Sequence, residues 1–222
     1  MGYLSCIEIE PEMKADASII WLHGLGATNN DFVPVVPELQ LPENLALRFV
    51  FPQAPSIPVT INGGMVMPAW YDILSMDIDR KIDVAQIKQS SESIKALIDR
   101  ERTRGIASSR IVLAGFSQGG AVVYETALSY PEPLAGLLTL STYFATHDSV
   151  AINPSNEKLP VMICHGSHDP VVPELLGHQA EESLRKKGFH PEYHSYPMQH
   201  EVCYPQIRDI SEWLQALLLN RK

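Results

Sequence analysis

Five short and almost uninterrupted apolar runs constrain the fold of this chain more than any other feature. They occupy residues 18–24, 47–52, 110–115, 134–141 and 159–166. Strands that are apolar on both faces belong in a parallel sheet covered by helices on both sides, because a solvent-exposed face would require alternating polar residues. A weaker run at 192–197 and an alternating run at 3–10 predict two further strands, the second at an edge of the sheet.

Amphipathic segments separate these runs. Apolar residues recur at helical spacing in the segment before Gly105, in a segment from Pro173 to about Gly188, and in the last twenty residues. The alternation predicts an α/β fold: a three-layer α/β/α sandwich with a mostly parallel sheet, formed as one domain over residues 1–222. Ligands of such sheets bind beyond the carboxyl ends of the strands, so catalytic residues are expected in the loops there.

Composition excludes several classes of protein. The net charge is -9 and no basic cluster exceeds the three residues 185–187, which argues against a nucleic-acid partner. The three cysteines, Cys6, Cys164 and Cys203, are too few and too widely spaced to indicate a disulfide framework. No secretory signal is recognisable and no run approaches the roughly 20 apolar residues of a membrane span, so we expect a cytoplasmic protein.

Residues 53–80 interrupt the alternation, because neither a helical nor a strand period is convincing there. The segment contains the apolar and aromatic sequence INGGMVMPAWYD at 61–72. Long irregular segments inside compact domains are usually functional or disordered, and this composition favours function. We therefore predict an apolar flap or lid in this part of the chain.

Ser117 lies in the sequence GFSQG, between an apolar strand and a predicted helix. A bare G-x-S-x-G match is a modest signal, and a tight turn alone would explain it. A strand–turn–helix context is the arrangement that exposes a nucleophilic serine, with Gly115 and Gly119 allowing close backbone approach. The pattern predicts Ser117 as a nucleophile at a helix N-terminus, where developing negative charge is favoured.

A serine nucleophile needs a base and an acid that orients the base. In this fold they follow the serine in the order Asp, then His, each after a later strand. Asp169 follows the strand at 159–166, and His200 follows the strand at 192–197. Asp169 alone would be interpreted as a turn residue, and His168, His190 and His194 are weaker candidates for the base. Together the positions predict a Ser117–His200–Asp169 triad.

The oxyanion requires two further donors. The amide of Gln118, which directly follows the nucleophile, is one candidate, and the amide of Leu25 in the glycine-rich sequence HGLG is the other. A simple flexible loop remains an alternative interpretation of that sequence. Metal-dependent hydrolysis through His165, His168 and Asp169 is a weaker alternative, because no H-E-x-x-H pattern or dense ligand cluster is present. No metal or other cofactor is expected.

Six motifs then occur in order: WLHGLG, PQAP, WYD, GFSQGGA, HGSHDPVVP and MQHEVC. In this order they resemble the carboxylesterase/acyl-protein thioesterase family of small α/β-hydrolases, and the resemblance extends from about residue 18 to 219. It implies an α/β-hydrolase fold with a minimal cap, ester or thioester hydrolysis without a cofactor, the Ser117–His200–Asp169 triad, and an oxyanion hole from Leu25 and Gln118. Two positions depart from the family pattern: Ala27 stands where Asp is frequent, and Gln199 where Gly is frequent.

The resemblance also implies that the flap is β-like and lies beside a groove for the acyl chain. Five of its side chains would line or cover that chain, although ordinary core packing is an alternative: Ile61, Met65, Val66, Met67 and Trp70. The implied substrate is a small acyl ester or acyl thioester, with a lipidated protein or a lysolipid as narrower alternatives. Transient contact with a membrane surface and homodimer formation are compatible with an apolar flap. A catalytically silent binding module on the same scaffold is the alternative from another functional class.

Overall fold

The computed structural model describes residues 2–75 and 81–219, so the end of the predicted flap, 76–80, lies outside the described residues. Its nine strands are β1 (Cys6–Ile9), β2 (Ala17–Leu22), β3 (Leu47–Pro52), β4 (Ser56–Val59), β5 (Met65–Pro68), β6 (Ile111–Phe116), β7 (Gly136–Leu140), β8 (Val161–Gly166) and β9 (Glu192–Tyr196). Seven of them form one sheet in the order β1-β3-β2-β6-β7-β8-β9. Only β1 runs antiparallel to its neighbour there. The seven strands predicted from the sequence are confirmed, including the edge position of β1.

Alternating side chains of the central strands enter two separate cores. In β2, Ile20 and Leu22 belong to one core, whereas Ile19 and Trp21 belong to the other. All six residues of β2 are buried, as expected of a strand covered on both faces. The continuous apolar runs therefore encode the mostly parallel sheet with helices on both sides that was predicted.

The helices are α1 (Val35–Glu38), α2 (Val84–Thr103), α3 (Gln118–Ser129), α4 (Glu174–Lys186) and α5 (Tyr204–Leu219). Buried residues of α2, α3 and α4 belong to one core, and those of α5 to the other. Helix α1 was not predicted, because it has only four residues and buries none of them. No helix in the described ranges is long and apolar enough to cross a membrane.

The flap contains an antiparallel hairpin of β4 and β5, which pairs Val59 with Met65 across the turn. Glycines at 63 and 64 have φ of 66° and 78°, values that side chains disfavour, so the turn requires them. The absence of a clear strand period in this part of the sequence has a physical cause. Met65 and Val66 are successive residues, whose side chains point to opposite faces of a strand, yet each is 63% exposed. With both residues exposed at the start of β5, this strand shows no alternation of buried and exposed positions.

Candidate active site

Ser117 occupies the sharp turn between β6 and α3, with φ 52° and ψ -118°. Hydrogen bonds of its amide and its carbonyl hold this unfavourable backbone. The Ser117 amide donates to the Leu140 carbonyl at 2.9 Å. Its carbonyl accepts from the Gly120 amide at 3.0 Å and from the Thr142 hydroxyl at 2.6 Å. Such strain costs about 1–3 kcal/mol and persists only where the surroundings impose it.

The glycines around Ser117 are required by close packing. A Cβ at Gly115 would lie 2.5 Å from the Gly119 carbonyl oxygen, and one at Gly119 would lie 2.6 Å from the His23 carbonyl oxygen. A Cβ at Gly120 would meet the Thr142 side chain at 2.5 Å. The turn can therefore approach both neighbouring strands closely enough to carry Ser117 to the edge of the sheet.

We expect the Ser117→Gly variant to be more stable than Ser117→Ala by about 1 kcal/mol. Glycine relieves the positive-φ strain, although part of that gain is offset by its greater chain entropy when unfolded. Urea unfolding of both variants measures the difference. Equal midpoints would contradict the strain assigned to this turn.

Asp169 follows β8 and is buried, and its two oxygens have different partners. Oδ2 accepts from His200 Nδ1 at 2.6 Å, while Oδ1 accepts from the amides of Val171 and Val172, both at 2.8 Å. Burial by itself would raise the pKa of Asp169, but these hydrogen bonds outweigh burial and lower the pKa below its ordinary value. The carboxylate therefore keeps its charge at acidities where an ordinary aspartate is protonated.

His200 follows β9, and its ring centroid lies 4.7 Å from that of Phe116, the neighbour of Ser117. Because a carboxylate only accepts, His200 Nδ1 carries the proton in that hydrogen bond, which leaves Nε2 of the neutral ring as an acceptor. Ser117 and His200 line the same cavity of about 460 Å³. The predicted nucleophile, base and acid are thus brought to one edge of the sheet.

Leu25 and Gln118 line this cavity too. Within the described parts of the chain, neither backbone amide donates to a protein acceptor, so both remain available to an oxyanion. The loop that carries Leu25 is fixed from two sides. The Gly26 amide donates to the Pro68 carbonyl at 2.8 Å, and the Ala54 amide donates to His23 Nε2 at 3.1 Å.

The Gln118 side chain has a structural role that the sequence did not indicate. Its oxygen accepts from the Trp70 amide at 2.8 Å, and its nitrogen donates to the Tyr71 carbonyl at 2.6 Å. The Trp70 indole donates to the His23 carbonyl at 2.9 Å. Trp70 is 2% exposed and packs beneath the loop at 23–26, which places it outside the cavity wall.

Of the five flap side chains proposed to bind the acyl chain, Ile61 lines the cavity. Met65 and Val66 point into solvent, and Met67 contacts Asn62, whose Nδ2 lies 3.2 Å from its sulfur. Elsewhere the cavity wall contains the charged residues Asp31 and Glu201 but is supplied mainly by apolar and aromatic residues from separate parts of the chain: Phe32, Val35, Tyr71, Ile73, Phe116, Tyr143, Val171, Val172 and Val202. The surface around the candidate nucleophile is therefore suited to an acyl chain.

Comparison with known proteins identifies the family of this chain. The family model described as Phospholipase/Carboxylesterase matches residues 5–218. The chain belongs to this family. It is a hydrolase that acts on ester bonds, and the α/β-hydrolase fold predicted for it is confirmed.

Individual members of the family are similar to this chain over nearly their whole length. Acyl-protein thioesterase 1 of Mycosarcoma maydis is 36% identical, with 98% of this chain and 99% of that protein aligned. The crystal structure of Zea mays acyl-protein thioesterase 2 superposes with a TM-score of 0.86 at 25% identity, covering 97% of this chain and all of that one. The crystal structure of Arabidopsis thaliana SOBER1 superposes with a TM-score of 0.85 at 28% identity, covering 91% of this chain and 99% of that one.

The two departures from the family pattern lie beside the site. Ala27 lines the cavity, so its side chain contributes a methyl group to the wall. The Gln199 carbonyl packs against Gly166, where a Cβ would come within 2.4 Å of it. Neither departure removes one of the candidate catalytic groups.

The metal-hydrolase alternative named His165, at the end of β8, and His168 and Asp169, in the loop that follows it. His165 is buried, with Nε2 2.8 Å from the Val172 carbonyl, whereas the His168 side chain is exposed. Among residues 2–75 and 81–219, no three His, Cys, Asp or Glu side chains form a group that could hold a metal ion. His165 Nε2 lies 3.7 Å from Asp169 Oδ2, so this histidine is part of the surroundings of the candidate acid.

Proposed function

We propose that this protein hydrolyses thioesters and esters of long acyl chains through an acyl-enzyme formed on Ser117. The observation that carries the proposal is the shared cavity: Ser117 and the Asp169-bound His200 face the same apolar space of about 460 Å³. A nucleophile, a base with a fixed tautomer and an apolar pocket are together what acyl transfer requires.

In the proposed first half-reaction, Ser117 Oγ attacks the carbonyl carbon while His200 Nε2 takes the hydroxyl proton. The oxyanion accepts hydrogen bonds from the Leu25 and Gln118 amides. Collapse expels the thiolate or alkoxide, which receives the proton from His200. In the second half, water attacks the acyl-serine, His200 takes its proton, and the carboxylic acid leaves as Ser117 regains its hydrogen.

The acyl-protein thioesterase names of the relatives favour a lipidated protein as the physiological substrate. The apolar cavity wall supports this substrate class, because a saturated chain gains about 0.8 kcal/mol for each buried CH₂. A lysolipid presents the same acyl chain on a different leaving group. Comparing kcat/KM for a matched pair, an S-palmitoyl peptide and palmitoyl lysophosphatidylcholine, distinguishes the two; a preference for the lysolipid would contradict the thioesterase proposal.

Fluorophosphonate labelling tests the proposed nucleophile directly. Only an activated serine reacts rapidly, so the folded protein should acquire one adduct, which peptide mapping should place on Ser117. The urea-unfolded protein is the matched control and should not label. A folded protein that also fails to label would instead support a catalytically silent scaffold.

We also propose that the hairpin tip touches the lipid surface from which the acyl chain is drawn. Met65 and Val66 are each 63% exposed at the end of a two-stranded projection. Large apolar side chains exposed on both faces of a hairpin favour the interface of a bilayer over water. The β5 strand that carries them continues to Pro68, whose carbonyl binds the Gly26 amide of the loop bearing Leu25.

Replacing both Met65 and Val66 with serine is expected to weaken co-sedimentation with phosphatidylcholine vesicles by about tenfold, because roughly 1.4 kcal/mol of apolar contact would be lost. Hydrolysis of vesicle-bound palmitoyl thioester should fall in parallel, while soluble p-nitrophenyl acetate should be unaffected. The matched control changes Met13 and Leu175, which are 52% and 51% exposed, to serine. Equal losses in the two double variants would contradict a specific role for the hairpin.

A further inference from the structure

His165 is a fully buried side chain beside Asp169 that the proposed reaction does not use. Its Nε2 lies 2.8 Å from the Val172 carbonyl oxygen and 3.7 Å from Asp169 Oδ2. Because a carbonyl only accepts, Nε2 carries the proton. Nδ1 is then an acceptor, and it has no partner within the described chain. Burial also lowers the pKa of His165, so the ring is neutral.

Val172 connects this ring to the catalytic acid. Its carbonyl accepts from His165, while its amide donates to Asp169 Oδ1 at 2.8 Å. The Val171 amide binds the same carboxylate oxygen. Fixing the Val172 carbonyl therefore fixes the turn that presents two amides to Asp169, and those amides hold Oδ1 so that Oδ2 faces His200. Val171 and Val172 also line the catalytic cavity.

The opposite side of the ring is fixed by packing. A Cβ at Gly177, in α4, would lie 2.5 Å from His165 Nδ1 and 3.0 Å from the Tyr193 hydroxyl. A glycine inside a helix costs about 1 kcal/mol relative to alanine, and here its absent side chain makes the space that the imidazole occupies. The ring is thus held between α4 and the turn at 170–172.

We propose that His165 is a positioning residue: through Val172 it sets the orientation of the Asp169 carboxylate, and so the tautomer and placement of His200. The inference rests on the proposed Ser117–His200–Asp169 triad. In this role His165 does not contact the substrate. Its ring supplies one directed N–H to the Val172 carbonyl from a fully buried position.

Two substitutions separate this role from simple packing. His165→Gln keeps an N–H donor near the position of Nε2, whereas His165→Leu keeps an apolar volume and leaves the Val172 carbonyl without its donor. We expect His165→Leu to lower kcat for p-nitrophenyl acetate by about 10- to 100-fold, since small misplacements of catalytic groups have effects of that size. KM should change little, and His165→Gln should recover most of the activity. His190→Leu changes an exposed histidine that does not line the cavity, and as the matched control it should behave as wild type.

The proton between His200 and Asp169 gives a readout that packing alone would not move. Its downfield NMR resonance should be present in wild type and in His165→Gln, and shifted or broadened in His165→Leu. Activities are normalised to the fraction that labels with fluorophosphonate, which removes any contribution from misfolded protein. An unchanged resonance and unchanged kcat in folded His165→Leu would overturn the proposal. If wild type itself fails to label, the proposed function fails instead, and the resonance still tests the link between His165 and Asp169.

Discussion

Ser117→Ala is expected to lower kcat/KM for p-nitrophenyl acetate and for acyl thioesters by about 10⁴-fold or more, with the fold intact. Removing the proposed nucleophile should eliminate the acyl-enzyme, and the activity that remains would come from oxyanion stabilisation and substrate binding. The Ser117 side chain makes no capping hydrogen bond to α3. The free energy of unfolding should therefore change by no more than about 0.5 kcal/mol.

Ser141 provides a matched control for this substitution. It stands at the end of the neighbouring strand β7, is fully buried and has φ 46°, close to the 52° of Ser117. Ser141 does not contribute to the cavity wall in the described chain. Ser141→Ala should keep wild-type kcat/KM, so that a loss in Ser117→Ala alone reports the chemistry. Full activity in Ser117→Ala would refute the proposed nucleophile.

Much of the candidate site could be predicted because each group directly follows a strand. The carboxyl ends of parallel strands meet at one edge of the sheet, so Leu25 after β2, Ser117 after β6, Asp169 after β8 and His200 after β9 converge there whatever the intervening sequence. The prediction depends on chain order and on recognising strands. Both are strong signals when the strands are continuously apolar.

The contacts that hold those groups in place were not predictable in the same way. Gln118 reaches Trp70 and Tyr71, which lie 48 and 47 residues before it. His165 acts on the turn at 170–172 through a backbone carbonyl, and a backbone acceptor leaves no pattern of residue types. Such pairings depend on the tertiary arrangement, and a single sequence does not encode them as a repeat or motif.

Apolar composition does not indicate which flap side chains point toward the cavity and which point into solvent. It indicated the flap, but it could not separate Ile61, which lines the cavity, from Met65 and Val66, which project into solvent. Ile61 lies in the turn between the two strands, where its amide donates to the Ile73 carbonyl at 3.1 Å, so a long-range contact sets its position and strand alternation does not. Met65 and Val66 begin β5 directly after the positive-φ glycines at 63 and 64, where neither face of the strand is covered.

Asp169→Asn is expected to lower kcat/KM by about 10⁴-fold, nearly as much as removal of the nucleophile, although it changes one oxygen to an NH₂ group. This result follows from the hydrogen bonds that the two oxygens of Asp169 accept. The Val171 and Val172 amides can only donate, so the asparagine oxygen must face them in the position of Oδ1. The new NH₂ group then faces His200 Nδ1, which must become the acceptor. The imidazole proton moves to Nε2, and that nitrogen can no longer take the proton of Ser117.

The same variant should alter how stability depends on pH. The lowered pKa of Asp169 means that its contribution to stability is present above the ordinary value of 3.8 and is lost as pH falls through the folded-state pKa. Urea unfolding between pH 3 and 7 should show a smaller decline in the free energy of unfolding for Asp169→Asn than for wild type.

For the activity measurement, Asp148→Asn changes an 89% exposed carboxylate and is the control expected to keep wild-type kcat/KM. Activity in Asp169→Asn within about tenfold of wild type would mean that the tautomer of His200 is fixed by something other than Asp169.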